Sequence, residues 1–201
     1  MNIHAPGLTR RTMLKGGAGL VLGSYIARTD RLFAQAAANP PAYNIAPNTF
    51  LIIKPDNTVT VLCKSIEFGQ GPFTGMATLV AEELDADWSQ MRADHAPSNP
   101  VLYKNLLFGM QGTGGSTAVA NSYIQMRQVG AAARQMLVAA AADAWKVPAG
   151  EITVENGVIK HASGKEGRFG EFAEKAMTMP VPSDPKLKDP LAFKFIGKEG
   201  V

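Results

Sequence analysis

The apolar positions of this chain alternate in some segments and follow helical spacing in others. Two β-rich runs, residues 49–54 and 58–63, are joined by Pro55-Asp56-Asn57, where proline presets a turn and asparagine tolerates a left-handed backbone. This pattern predicts a tight hairpin. A second hairpin is predicted around Asn156-Gly157, because both residues accept positive φ.

Helical spacing predicts three more elements. Pro72 suits the first turn of a helix, and the apolar face that follows it ends near Leu84. An alanine-rich run that ends at Trp145 predicts a long core helix, whose start the hydroxyl of Ser116 would cap. A short helix is predicted for Phe169–Met177.

The remaining segments complete the fold prediction. Residues 88–95 are interpreted as a strand, residues 96–108 as a loop, and the alternating run Phe193–Gly197 as a strand whose partner is missing. These elements predict an α+β fold in which hairpin strands and two long helices pack on a mixed sheet.

Composition narrows the function classes. The chain has 201 residues, 46% hydrophobic and 18% charged, which excludes a wholly disordered or fibrous protein. Five basic residues and one acidic residue fall within residues 1–36, so the remainder accounts for −1 of the net charge of +3. The bulk of the chain is therefore not basic, and no nucleic-acid partner is predicted.

Cysteine and histidine are sparse. Cys63 is the only cysteine, so the chain can form neither an intramolecular disulfide nor a four-cysteine iron–sulfur cluster, and Cys63 is interpreted as a small buried residue. The three histidines lack the spacing of a metal site. Any redox metal would have to be held in another way.

The first residues resemble a twin-arginine export signal. Paired arginines, Arg10 and Arg11, precede a mildly apolar stretch over residues 16–27, which is too short and too glycine-rich to span a bilayer stably. The small-x-small sequence Ala34-Gln35-Ala36 predicts cleavage after Ala36. We therefore predict a signal peptide over residues 1–36, although an ordinary amphipathic first helix is the alternative.

Export carries further expectations. Residues 37–48 lack periodicity and are predicted to be a linker. The mature protein would be periplasmic, and membrane association is left open. The twin-arginine route carries folded proteins, often because a cofactor is inserted before export, so the signal also suggests a cofactor.

Two glycine-rich loops precede the two long helices. Residues 67–71 lead into the first helix and residues 112–117 into the second. Helix amino ends present unpaired N–H groups and a partial positive charge, and glycine allows close approach, so the loops could together hold a diphosphate. Glycines before helices are also common as plain turns, and the dinucleotide, Walker and serine-hydrolase motifs are all missing from the sequence.

Three motifs occur in a set order and spacing. They are Glu67-Phe68-Gly69-Gln70-Gly71, then Gly114-Gly115-Ser116-Thr117 with Asn121-Ser122-Tyr123 and the run from Arg127 to Arg134, and then Val154-Glu155-Asn156-Gly157-Val158-Ile159. In this order they resemble the molybdenum-binding large subunit of the xanthine dehydrogenase and aldehyde oxidase family. The resemblance covers roughly residues 48–196 and is strongest to the exported branch typified by isoquinoline 1-oxidoreductase.

The resemblance implies a fold context and a cofactor. Residues 49–178 would form part of a larger molybdopterin-binding domain, and residues 179–201 a proline-rich extended tail that leads to a missing domain. The implied cofactor is molybdopterin cytosine dinucleotide, whose dithiolene rather than the protein holds molybdenum. The residues implied to contact it are Gly69, Gln70, Gly71, Gly115, Ser116 and Thr117.

The resemblance also implies partners and a reaction. The complete enzyme would oxidise an N-heterocycle or an aldehyde with water as the oxygen source, and would pass electrons to an iron–sulfur small subunit with 2Fe–2S clusters. The remainder of the large subunit would be a further partner. The glutamate base of the family lies in a far C-terminal motif that this sequence lacks, so the chain alone is not expected to catalyse hydroxylation.

Two other classes remain open from the sequence. One is a freestanding periplasmic interaction module that keeps the scaffold without the cofactor. The other is a truncated, non-functional product without cofactor.

Overall fold

The computed structural model describes residues 49–198 of the chain. Its strands are β1 (Leu51–Ile53), β2 (Val59–Cys63), β3 (Met91–His95), β4 (Ile152–Glu155), β5 (Val158–His161) and β6 (Glu166–Arg168). Its helices are α1 (Pro72–Leu84), α2 (Ala118–Trp145) and α3 (Phe169–Ala176), and short 3-10 turns occur at Trp88–Gln90, Ala149–Glu151 and Pro190–Ala192. The α+β prediction is confirmed.

Some sequence predictions are not tested by these residues. The predicted signal peptide, residues 1–36, and linker, residues 37–48, lie outside the described part of the chain. The division into residues 49–178 and 179–201 stays a prediction. Across residues 49–198, every helix is too short or too polar to cross a membrane.

The first sheet has the strand order β1-β2-β3 and is mixed, as predicted. β1 and β2 form the expected antiparallel hairpin, with Asn57 at φ 72° in the turn. β3 runs parallel to β2, and Cys63 and His95 lie opposite each other where both strands end. Because parallel neighbours need a crossover, β2, α1 and β3 form a β–α–β unit.

α1 and α2 lie side by side and run in the same direction. A Cβ added to Gly75, near the start of α1, would lie 3.0 Å from Val119 at the start of α2. At the other end of α1, Asp85 pairs with Arg134 in the middle of α2 at 3.1 Å. The backbones approach closely at Gly130, where an added Cβ would lie 2.9 Å from a carbonyl oxygen of α1. The amino ends of both helices therefore lie at one end of the molecule.

The second sheet is antiparallel, with the order β4-β5-β6. The predicted turn is confirmed, since Asn156 and Gly157 have φ of 47° and 74°. α3 follows β6 and begins against the β1–β2 turn, where the N–H of Gly170 donates to the side chain of Asn57 at 3.3 Å. A Cβ on Gly170 would lie 2.6 Å from the carbonyl oxygen of Lys54, so α3 requires a glycine there.

The strand predicted at Phe193–Gly197 is wrong. Within the described residues this segment pairs with no strand, and the backbone N–H groups of Lys194, Phe195 and Ile196 all donate to the carboxylate of Glu82, at 2.7–2.8 Å. An extended strand turns successive N–H groups to opposite sides. Three consecutive donors can converge on one carboxylate only if the backbone bends.

Two more acidic residues at the carboxyl end of α1, Glu83 and Asp85, also bind the C-terminal segment. Glu83 accepts from the backbone N–H of Lys188 at 2.8 Å and from Nε of Arg127 at 2.6 Å. Asp85 binds the ammonium groups of Lys188 and Lys194 at 2.8 and 3.1 Å. Burial would raise the pKa of Asp85, but the hydrogen bonds of these two lysines hold that pKa below its ordinary value. Residues 188–196 are thus fixed to α1.

Candidate functional site

A crevice of about 360 Å³ opens at the carboxyl ends of β2 and β3, beside the segments that lead towards α1 and α2. Its lining residues follow the two strands or precede α2, and they are Cys63, Lys64, Ser65, Ile66, His95, Ala96, Gln111, Gly112 and Thr113. Ligands of α/β proteins bind at the carboxyl ends of parallel strands, and helix amino ends favour anions. The position of the crevice therefore suits an anionic ligand.

The first glycine-rich loop already binds a carboxylate, that of Glu67. This carboxylate accepts hydrogen bonds from the backbone N–H groups of Gly69 at 2.7 Å, Gly71 at 3.1 Å and Phe73 at 3.2 Å. Desolvation raises the pKa of Glu67, but the hydrogen bonds from Gly71, Gly69 and Phe73 outweigh it and hold the pKa below its ordinary value. The amino end of α1 thus binds an oxyanion from its own loop.

Gln70 stabilises the same loop with its amide. Its Nε2 donates to the carbonyl of Ile66 at 2.7 Å, and its Oε1 accepts from the N–H of Phe68 at 2.9 Å. The side chain expected to contact a ligand directly therefore folds back on its own backbone. Gln70 sets the shape of the loop in this structure.

The second loop is held by Thr117. Its hydroxyl donates to the carbonyl of Gly114 and accepts from the side-chain amide of Asn105, both at 2.8 Å. The prediction that Ser116 caps α2 is wrong, because Thr117 is the residue that precedes the helix and Ser116 has a left-handed backbone with φ 54°. The exposed Ser116 instead lies in the bend of the loop.

The structure brings the two loops together. The N–H of Ile66 donates to Oγ1 of Thr113 at 2.9 Å, which joins the segment before the first motif to the segment before the second. The six residues expected to contact a cofactor lie in these two loops, but none of them lines the crevice; they are Gly69, Gln70, Gly71, Gly115, Ser116 and Thr117. The crevice is formed by residues just before each of these two motifs and by His95 and Ala96 at the end of β3.

Sequence reasoning missed the crevice residues Lys64 and His95, and it placed Thr113 in the second loop without naming it as a contact. One signal was present in the sequence, since Lys64 directly follows the buried alternation of β2 and His95 ends β3. A polar residue at the carboxyl end of a parallel strand is a candidate for ligand contact. Within residues 49–198, no group of three or more His, Cys, Asp or Glu side chains could hold a metal ion.

Lys64 is the most unusual group of the crevice. It is 5% exposed, and its Nζ donates to Oε1 of Gln125 at 2.7 Å. Burial lowers its pKa from 10.5 to about 8. The neighbouring thiol of Cys63 is inert, because burial, with the negative charges of Glu67 and Asp94, raises its pKa to about 12.

The ionisation of Lys64 predicts how stability depends on pH. Between pH 8 and 10.5 the unfolded chain binds more protons at this group than the folded protein, so the stability of the wild type rises with pH. The Lys64→Met variant lacks this titration. We expect its free energy of unfolding, relative to that of the wild type, to be about 2 kcal/mol higher at pH 7 than at pH 10. Urea unfolding of both proteins at both pH values measures this difference. A difference in unfolding free energy between the two proteins that does not change with pH would contradict the expectation.

Comparisons with known proteins identify a family for the chain. Residues 5–194 match the family described as the molybdopterin cofactor-binding domain. The chain is 34% identical over 148 residues to the isoquinoline 1-oxidoreductase subunit beta of Brevundimonas diminuta, covering 73% of this chain and 19% of that protein. It is 29% identical over 160 residues to a membrane-bound aldehyde dehydrogenase (pyrroloquinoline-quinone) of Gluconacetobacter polyoxogenes, covering 79% and 20%.

Two solved structures are also similar. Quinoline 2-oxidoreductase from Pseudomonas putida 86 matches with a TM-score of 0.47 and 19% identity, over 67% of this chain and 17% of that one. Reconstituted CO dehydrogenase from Oligotropha carboxidovorans matches with a TM-score of 0.42 and 23% identity, over 68% and 17%. The chain spans about a fifth of the length of the curated relatives it matches.

Proposed function

Because the chain belongs to the molybdopterin cofactor-binding domain family, we propose that it forms one wall of the cofactor site in a longer molybdenum-dependent oxidoreductase. The observation that carries this proposal is the crevice at the carboxyl ends of β2 and β3, beside the segments that lead into the two glycine-rich loops and their helices. When bound, the cofactor would supply the redox chemistry. The chain would bind and orient it.

The residues at this end of the molecule fit such a ligand. The amino end of α1 binds the Glu67 carboxylate through three backbone N–H groups, so the loop geometry suits an oxyanion. A Cβ on Gly112 or Gly114 would meet no atom within 4 Å, so the second loop has open space beside its backbone. Lys64 adds a buried cation. The open backbone of the second loop and the charge of Lys64 match a phosphate-bearing pterin.

The predicted contacts take different parts in this proposal. Gln70 and Thr117 hold the shapes of the two loops through the hydrogen bonds described above. The backbone of Gly115 and the hydroxyl of Ser116 would face the cofactor, and Gly69 and Gly71 would lie beside it with their N–H groups bound to Glu67. We propose the cytosine dinucleotide form as that cofactor, and a small subunit with 2Fe–2S clusters as the electron acceptor.

Catalysis would require groups from elsewhere in the longer protein. General-base work needs a carboxylate close to the reacting atoms, and no carboxylate is among the described residues that line the crevice. Phe68 and Met110, in the loops at this end, are 70% and 61% exposed. Exposed apolar side chains of this size suggest a covering surface. We propose that the remainder of the large subunit supplies both the cover and the base.

The substrate and the location belong to the same proposal. The complete enzyme would oxidise an N-heterocycle or an aldehyde. The proposed twin-arginine signal over residues 1–36 would export it to the periplasm. Detection of the mature amino terminus at residue 37 in the periplasmic fraction would test the second point.

The cofactor proposal is tested by expressing the complete reading frame and measuring molybdenum by mass spectrometry and pterin by fluorescence. We expect both in equal amounts. Gly112→Leu should reduce both at least tenfold, because the new side chain enters open space beside the crevice and displaces the ligand without disturbing packing.

Gly150→Leu is the matched control. A Cβ on Gly150 also meets no atom within 4 Å, but this residue lies in the 3-10 turn before β4, outside the crevice lining. It should leave the cofactor content unchanged. Pyrroloquinoline quinone in place of molybdenum and pterin, or none of the three in correctly matured protein, would overturn the proposal.

A further inference from the structure

Lys64 is a buried cation without a counter-charge. None of the ion pairs among residues 49–198 includes it, and its hydrogen-bond partner, Gln125, is neutral. Buried charges in proteins are normally paired, because an unpaired one loses its hydration without compensation. The other buried cation described above, Arg127, follows this rule through Glu83.

The surroundings of Lys64 add positive potential. The amino end of α2 contributes a partial positive charge at this end of the molecule, whereas the amino end of α1 is already neutralised by the Glu67 carboxylate. The hydroxyl-bearing residues Ser65 and Thr113 line the same crevice and add donors. An ammonium group, one helix end and hydroxyl donors together form an environment that binds phosphate.

We infer that the crevice binds a phosphate-class oxyanion and that Lys64 supplies the charge that holds it. This inference rests on the proposed function, because the anion would be the phosphate part of the cofactor. A phosphate monoester and the diphosphate of a dinucleotide share this chemistry. The volume of about 360 Å³ accommodates either.

Other titratable groups near Lys64 are few. From β2 comes Cys63, which stays protonated because burial raises its pKa to about 12. From β3 come His95, which lines the crevice, and Asp94 next to it. From the first loop comes Glu67, whose carboxylate is bound to the amino end of α1. From α2 comes the neutral Gln125. The pKa of Lys64, at about 8, lies within the range between pH 7 and pH 9, so the charge of this group changes there.

The test uses the full 201-residue chain and calorimetric titration with inorganic pyrophosphate and, separately, inorganic phosphate. At pH 7, Lys64→Met should weaken pyrophosphate binding at least tenfold, whereas Lys64→Arg keeps the charge and should stay within about threefold. Lys160→Met, which removes an exposed lysine of β5, is the matched control and should bind as wild type.

The pH dependence of pyrophosphate affinity is a second measurement. A lysine with a purely structural role would not affect it. Relative to Lys64→Arg, wild-type affinity should fall about tenfold from pH 7 to pH 9, as the ammonium loses its proton. The arginine variant keeps its charge over this range. Dividing the wild-type affinity by that of the variant therefore removes the effect of the ligand's own titration. If pyrophosphate binds more tightly than phosphate, the site is assigned to the diphosphate of a dinucleotide. If the two bind equally, it is assigned to a phosphate monoester. Either result supports the site.

Two results would overturn the inference. One is pyrophosphate binding by a folded Lys64→Met protein that equals wild type, and the other is a wild type that binds neither anion. The failure of the proposed function is a separate observation, because it is read from the molybdenum and pterin content of the complete wild-type protein. A complete protein with Lys64→Met that keeps its full cofactor would remove the inference alone.

Discussion

Replacing Glu82 with alanine is expected to lower the free energy of unfolding by about 4 kcal/mol. Glu82 is fully buried and its carboxylate accepts three backbone N–H groups, from Lys194, Phe195 and Ile196. Alanine removes every acceptor at once and leaves a cavity within the core. Urea unfolding measures the loss, and hydrogen exchange should show that the amides of residues 194–196 have lost protection.

Glu174→Ala provides the control for this experiment. Glu174 is an exposed glutamate of α3, so the same change of residue there removes a charge from the surface alone. Its effect should stay within about 0.5 kcal/mol. If Glu82→Ala cost less than 1 kcal/mol and left the three amides protected, the carboxylate would not be what holds this segment.

Gly130→Ala should destabilise the protein by about 2–3 kcal/mol, although alanine is the better helix former. The added Cβ would lie 2.9 Å from the carbonyl oxygen of Val80 and 2.9 Å from the Cβ of Glu83. These atoms belong to the packed core of α1 and cannot rotate away. The two helices would have to separate, which would also stretch the bond between Glu83 and Arg127. Chemical denaturation of wild type and variant measures the cost.

Gly75→Ala tests the same contact between α1 and α2 at a position where the neighbouring side chain can shift. Its Cβ would meet a methyl group of Val119 at 3.0 Å, and that side chain is partly exposed and can shift. We expect this variant to be neutral or to gain up to about 1 kcal/mol from helix propensity. Equal effects of the two substitutions would show that close backbone contact at Gly130 does not limit the packing of the helices.

Local patterns predicted most of the elements. The turns at Asn57 and Asn156 and the helix start at Pro72 were correct because the residues themselves restrict the backbone there. The direction of α2 relative to α1 could not be derived in this way. It depends on Gly130 and on the Arg134–Asp85 pair, which join residues 49 positions apart.

The candidate site was predicted in part for the same reason. Glycine-rich loops before helices are visible in sequence, and the structure places both at one end of the molecule. The partners of each side chain are not visible. Glu67 binds the first loop and Gln125 binds Lys64 across 61 positions, and these contacts decide which groups remain available to a ligand.

The common direction of α1 and α2 has an energetic consequence for the chain without a ligand. Parallel neighbouring helices whose starts are aligned place the positive ends of their dipoles together, which is unfavourable. The carboxyl ends do not coincide, because α1 ends at Leu84, beside the middle of α2, which continues to Trp145. At the amino ends, Glu67 neutralises α1, and Lys64 adds to the positive potential beside α2. A bound anion would reduce this electrostatic repulsion. Loading with cofactor should therefore also raise the melting temperature of the domain.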